Sequence, residues 1–182
     1  MALKVLILAG INGSGPEHWQ TFWEKAHPEF QRVLEPDWEH PVRKEWVASL
    51  EAAVRAAGPE TVLVAHSLAC LQVAHWAAAT RLKVQSALLV APPDPRKKIF
   101  PSTAVGFAPV PREKLGFPSI LVASSNDTYA SPAFSQRCAM AWGSWLVSFR
   151  SKGHLNAESH LKDWPEGYQL LEVLLRKGIE TC

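Results

Sequence analysis

A chain of 182 residues, 47% hydrophobic and 20% charged, has the composition of an ordinary globular protein and predicts a single domain over residues 1–182. Its 19 basic and 17 acidic residues leave a net charge of +2, which excludes the electrostatic footprint of a nucleic-acid or anionic-membrane binder. No apolar run reaches the ~20 residues of a membrane span, and three unclustered cysteines, Cys70, Cys138 and Cys182, exclude a disulfide scaffold.

Met1-Ala2-Leu3-Lys4 runs straight into an apolar stretch, so no signal peptide is expected. The cysteines read as free thiols of a reducing compartment, and the expected location is the cytoplasm. The first strand is predicted over Leu3–Ala9, followed by a glycine-rich turn at Gly10–Gly15 and a helix over Glu17–Lys25. Gln31–Glu35 is a weaker strand candidate. Val42–Ala57 is a helix, with Trp46, Val47, Leu50, Ala53, Val54 and Ala57 recurring at steps of three and four before Gly58-Pro59 closes it. A strand at Thr61–Ala65, a helix at Leu68–Thr80 and a strand at Val84–Val90 come next. Pro92–Pro118 then carries Pro92, Pro93, Pro95, Pro101, Pro109, Pro111 and Pro118 without a periodic pattern, and a loop of this length is expected to act as a lid. Ser119–Ala123 and Trp145–Phe149 are further strands, separated by a helix at Pro132–Trp142. The last helix, Pro165–Lys177, places Tyr168, Leu171, Leu174 and Leu175 on one face. Because the strong strand runs are almost continuously apolar, they are predicted to be buried on both faces. The alternation predicts the α/β class: a mainly parallel sheet of about six strands with helices on both faces and ligands at the rim formed by the strand C-termini.

The segment Thr61-Val-Leu-Val-Ala-His66-Ser67-Leu-Ala-Cys70 carries the chemistry. A buried strand runs into a serine and a helix begins at once, the form of a nucleophile elbow that holds the serine exposed in a strained turn. Residues two before and two after must be small because strand and helix approach closely, and here they are Ala65 and Ala69. The competing reading is a serine that merely caps the helix. A serine hydroxyl needs a base within hydrogen-bond reach, and the base needs a carboxylate to fix its tautomer. Asp127 in Ser124-Ser125-Asn126-Asp127 and His154 in Lys152-Gly153-His154 each follow a predicted strand, on the same rim as Ser67 and in the order Ser, acid, His. Each is an ordinary turn residue taken singly; the three together predict a catalytic triad.

The turn Gly10–Gly15 leaves the first strand on that rim and is expected to enter its helix near Pro16. Its backbone N–H groups at Ile11 or Asn12 are candidates to join that of Leu68 in an oxyanion hole. A phosphate-binding loop is the rival, but the glycines lack the G-x-G-x-x-G spacing and Pro16-Glu17 stands where a P-loop has Lys-Ser/Thr.

With these residues assembled, the chain resembles the small α/β-hydrolases of the YdeN-like, retinoblastoma-binding-protein-9-like group. The resemblance is carried by Ser14-Gly15-Pro16-Glu17-His18-Trp19, Pro36-Asp37-Trp38, Val64-Ala65-His66-Ser67-Leu68, Ser125-Asn126-Asp127, Gly153-His154-Leu155-Asn156 and Trp164-Pro165-Glu166-Gly167. It implies a compact α/β-hydrolase fold and a serine hydrolase acting on small esters, or related thioesters or amides, through Ser67, Asp127 and His154. Where the family pattern has Gly after Ser-Leu, this chain has Ala69. That departure, with a family name that records a binding partner, leaves a second expectation: a protein-interaction module on a hydrolase fold.

The remaining features read as structural. The eight tryptophans belong to packing, with Trp19 the best placed of them to line an acyl pocket. His66 is expected to pack beside the elbow, and His18, His27, His40, His75 and His160 lack metal-ligand spacing, so neither metal nor cofactor is expected. Cys70 reads as a small buried hydrophobe rather than a nucleophile, and Arg96-Lys97-Lys98 as a solvated loop face. The expected partner is a small-molecule ester or amide substrate, with neither nucleic acid nor membrane.

Overall fold

A computed structural model describes residues 3–176. The Met1-Ala2 start, the predicted helix end at Lys177 and Cys182 lie outside the described residues. Along the chain run β1 (Lys4–Leu8), α1 (Trp19–Ala26), β2 (Gln31–Arg32), α2 (Arg43–Ala57), β3 (Thr61–His66), α3 (Leu68–Ala77), β4 (Ser86–Val90), β5 (Ser119–Ser124), α4 (Pro132–Trp142), β6 (Trp145–Phe149) and α5 (Pro165–Leu175), with a 3₁₀ turn at Ala157–Ser159 before the last helix.

All strand pairings are parallel, and the six strands lie in the order β2-β1-β3-β4-β5-β6. Successive side chains of a strand point to opposite faces, and that period sorts the continuous apolar runs into two cores. Leu6, Leu8, Leu63, Ala65, Leu89 and Leu121 face Trp46 and Leu50 of α2, the apolar residues of α3 and Phe134 and Trp142 of α4. Val5, Ile7, Val62, Val64, Leu88, Val90 and Val122 face Trp19 and Trp23 of α1 and Leu171 and Leu174 of α5. Helices therefore cover both faces, as the alternation predicted. Helix α3 is buried on nearly every side, which its lack of a polar stripe requires.

Local chemistry sets the boundaries. Helix α1 begins at Trp19 rather than Glu17 because His18 is its N-cap, its Nδ1 accepting from the Gln20 N–H at 3.2 Å. Ser131 caps α4 through its hydroxyl, with Pro132 in the first turn and Gly143 left-handed at the end. Helix α3 stops at Ala77, short of Thr80, whose hydroxyl is drawn to Glu51 Oε2 at 2.7 Å. Strand β2 keeps only Gln31 and Arg32 of the predicted Gln31–Glu35, pairing with Leu6 and Ile7.

One expectation fails at the sheet's end. Strand β6 is not buried on both faces: it is the terminal strand, and Trp145 and Leu146 are 61% and 41% exposed. Its apolar run resembles those of β3 and β4, but no neighbour covers its outer edge among the described residues. No described helix is long and apolar enough to cross a membrane.

Candidate active site

The strand order places β1 between β2 and β3, so the chain leaves β1 and β3 toward opposite sides of the sheet. Crevices open at such switch points beyond the strand C-termini. A cleft of about 320 Å³ lies there, lined by Gly10 and Ile11 from the turn after β1, Ser67 and Leu68 after β3, Tyr129 after β5 and His154 after β6. Pro93, Phe100 and Pro101 of the proline-rich segment line it as well.

Ser67 has φ 55° and ψ −123°, a left-handed conformation that a side chain adopts only under strain of about 1–3 kcal/mol. Its hydroxyl makes no capping bond to α3, which overturns the helix-cap reading; the Oγ lies 2.7 Å from His154 Nε2 instead. Ala65 and Ala69 are fully buried where strand and helix close on each other. Ala69 lies within α3, in helical backbone where a methyl is welcome; the left-handed residue of the elbow is Ser67. Gly10 faces the elbow from β1's side, and a Cβ on it would stand 2.9 Å from Ser67 Cβ.

Asp127 accepts from His154 Nδ1 with both oxygens, at 3.0 and 2.9 Å, and its Oδ1 also accepts from the Tyr129 N–H at 2.8 Å. A carboxylate can only accept here, so the imidazole proton sits on Nδ1 and Nε2 is left as acceptor for the serine O–H. The loops bearing Asp127 and His154 are laced together: Ser124 Oγ accepts from the Lys152 N–H at 2.9 Å and Asn126 Oδ1 from the Gly153 N–H at 2.8 Å. Tyr129 lies against the His154 ring, 4.4 Å between centroids. The structure thus brings Ser67, Asp127 and His154 together from three strand ends.

The oxyanion candidates separate. Asn12 N–H donates to the Trp38 carbonyl at 2.8 Å and is spent in that bond, which corrects its candidacy. Ile11 and Leu68 both line the cleft. Leu68 is the first residue of α3, where a helical N–H has no partner in its own helix.

His66 packs beneath the elbow as expected. Its Nε2 donates to the His154 carbonyl at 3.1 Å, and burial, helped by His18 and His154 nearby, lowers its pKa well below the ordinary imidazole value. It therefore braces the His154 loop as a neutral ring. His18 lines the cleft with its ring 4.6 Å from that of His66, and burial, with Arg32 and His154 adding to it, lowers its pKa to about 3. In the sequence it falls inside the predicted Glu17–Lys25 helix with no sign of a cleft position; its place there comes from packing. Trp19 does not line the cleft: it is buried in the α1–α5 core, where its Nε1 donates to the Leu155 carbonyl beside His154 at 2.8 Å. Cys70 is buried, its pKa driven well above the usual thiol value by desolvation, and its Sγ contacts the Val90 carbonyl at 3.3 Å. Arg96 is not simply solvated, since it pairs with Asp94 at 2.9 Å, and Lys97 Nζ donates to the Thr128 carbonyl. Among the described residues no cluster of three His, Cys, Asp or Glu side chains is placed to hold a metal ion.

A family model described as serine hydrolase matches residues 5–173. No curated protein matches the chain. Among solved structures, a YdeN-like hydrolase from Pectobacterium atrosepticum is similar at 28% identity over 96% of this chain and 93% of its own, with a TM-score of 0.83. The ydeN gene product of B. subtilis is similar at 20% identity over 95% of this chain and 98% of its own, with a TM-score of 0.75. The type II thioesterase BorB from the borrelidin biosynthetic cluster is similar at 13% identity, covering 97% of this chain and 94% of its own, with a TM-score of 0.68. For the last two the likeness is one of fold. The sheet and its flanking helices are a compact α/β-hydrolase fold.

Proposed function

Because this chain belongs to the serine hydrolase family, we propose that it cleaves small carboxylic esters, or related thioester or amide bonds, through an acyl-enzyme on Ser67. The observation that carries this reading is the unbroken line from Asp127 through His154 to Ser67, with separations of 2.9 and 2.7 Å. His154 Nε2 takes the serine proton as Oγ bonds to the substrate carbonyl carbon, and the carbonyl oxygen becomes an oxyanion facing the N–H groups of Leu68 and Ile11. The imidazolium, held by Asp127, returns its proton to the leaving group as the bond to that group breaks. A water molecule then attacks the acyl carbon, again giving its proton to His154, and the acid departs as Ser67 regains its hydrogen.

In this reading the Pro92–Pro118 segment serves as a cover for the cleft of the single domain, to whose lining it contributes Pro93, Phe100 and Pro101. With about 320 Å³ available, short acyl chains fit better than long ones. The test is intact-mass labelling with a fluorophosphonate on wild type and on Ser67→Ala. One adduct on wild type and none on the variant is the expected result. No adduct on folded wild type would set this reading aside in favour of an interaction module.

A further inference from the structure

Gln72 lies on α3, the helix that opens at the elbow, and is fully buried. Its Nε2 donates to Glu35 Oε1 at 2.7 Å and to the Trp46 carbonyl at 2.6 Å. Two acceptors on that nitrogen fix the orientation of the amide, since a flipped amide would turn its oxygen toward both. The other two oxygens of the pair, Glu35 Oε2 and Gln72 Oε1, are buried without a partner. An ionised Glu35 leaves both as acceptors with no donor. A single proton resolves both, because a neutral carboxylic acid donates its O–H to an amide oxygen while accepting from the amide N–H.

The surroundings favour the neutral acid. Burial pushes the Glu35 carboxyl up to about 7, against the opposing hydrogen bond of Gln72 and a weaker pull from the nearby Ser49 hydroxyl, which itself donates to the Glu45 carbonyl at 3.2 Å. The groups acting on it are Gln72 from α3 and Ser49 from α2, neither of them titratable.

The pair is connected to both candidate oxyanion donors. Glu35 leads into Pro36-Asp37-Trp38, where the Asp37 carbonyl accepts from Trp46 Nε1 at 3.0 Å and the Trp38 carbonyl accepts from Asn12 N–H at 2.8 Å. One arm of this connection ends on α3, which carries the Leu68 N–H. The other ends on the turn that carries the Ile11 N–H.

We propose that Glu35 is a positioning residue: held as the neutral acid, it closes a two-hydrogen-bond pair with Gln72 that sets the spacing of the Leu68 and Ile11 donors, and its ionisation releases that spacing. The proposal rests on the acyl-transfer reading above. Loss of the Oε2 proton to solvent leaves a carboxylate oxygen against the Gln72 oxygen, acceptor facing acceptor, and the segment leading to Trp38 shifts with the first turn attached.

The test combines carbon-13 NMR of the glutamate carboxyls, assigned through bonds, with backbone amide NMR and fluorophosphonate labelling rates, in wild type and Glu35→Gln across neutral pH. The amide of the variant keeps the shape and both hydrogen bonds of the acid but cannot ionise. The expected result is a Glu35 carboxyl that titrates near neutrality, with Ile11 and Asn12 amide shifts that follow it in wild type and stay still in the variant. Labelling then falls about tenfold on the alkaline side in wild type alone, short of the ~10²–10³-fold loss of a whole donor. A Glu35 carboxyl titrating in the ordinary carboxylate range, amides indifferent to it, or the same alkaline fall in Glu35→Gln overturns the proposal. Absence of labelling at every pH overturns the acyl-transfer reading instead, and the NMR titrations still decide the pair. Should Glu35→Gln fail to fold, the wild-type carboxyl and amide titrations decide by coinciding or not.

Discussion

Gly10 is pressed against Ser67: a Cβ built on Gly10 would lie 2.9 Å from Ser67 Cβ and 3.1 Å from the His66 carbonyl. Both neighbours are held, one by the strained elbow and the other as backbone. A methyl group must therefore move either the nucleophile or the turn that carries Ile11. Misplacement of about 1 Å can cost 10²-fold in rate, so Gly10→Ala is expected to slow fluorophosphonate labelling by at least about tenfold. A labelling rate within about twofold of wild type in a folded variant would show that the turn yields freely.

Asp127 holds the His154 proton on Nδ1, and its Oδ1 also anchors the Tyr129 N–H. Asn in its place keeps an acceptor for the backbone but presents an amide to the imidazole, favouring the wrong tautomer. Asp127→Asn is expected to lower turnover of a small ester by about 10⁴-fold while the melting temperature stays near that of wild type. Wild-type-like turnover would remove Asp127 from the proposed triad.

His18 and His66 are buried histidines whose pKa values fall below the ordinary 6.5, His18 to about 3. The folded state then binds fewer protons than the unfolded state, so their stabilisation is full above about 6.5 and is lost as pH falls toward the folded values. Each contributes a slope of at most about 1.4 kcal/mol per pH unit. Glu35 acts in the opposite sense: its folded pKa of about 7 exceeds the ordinary 4.5, so its contribution is full at acid pH and is lost as pH rises through about 7. Denaturant unfolding below pH 6.5 should therefore lose stability more steeply in Glu35→Gln than in wild type, and less steeply in His18→Asn, where Asn retains the helix cap. Parallel curves for all three proteins would contradict these assignments.

Trp46 and Trp145 test the two kinds of tryptophan. Trp46 is fully buried between α2 and the sheet and donates to the Asp37 carbonyl, whereas Trp145 is 61% exposed on the terminal strand. Trp46→Ala is expected to cost about 3–5 kcal/mol, and Trp145→Ser to change stability by no more than about 0.5 kcal/mol, both read by urea denaturation. A large cost at Trp145 would mean that the edge of β6 is covered in solution.

Much of the fold and of the candidate site was legible in advance because it follows from local chemistry. The runs Val62–Val64 and Leu88–Val90 alternate between the two cores with the period of a strand, so burial on both faces follows from composition. Ser67, Asp127 and His154 each follow an apolar strand run, β3, β5 and β6, and parallel strands bring all their C-terminal ends to one rim. The order of elements, the rim and these three residues required no knowledge of packing.

What only the tertiary structure decided concerns partners distant in the chain and the exposure of whole elements. Local pattern does not distinguish β6 from β4, because exposure depends on which strand ends the sheet. It cannot say that Asn12 N–H is spent on Trp38 or that Trp19 braces the His154 loop from the core instead of lining the cleft. Nor does it distinguish His66, neutral beneath the elbow, from His154 facing Ser67. Glu35 in the sequence is one acid at the end of a weak strand candidate. Only burial against Gln72, leaving two oxygens without a donor, makes its proton matter. Propensity and periodicity act over a turn or a strand, whereas hydrogen-bond satisfaction and desolvation are set by whichever distant segment fills the space alongside.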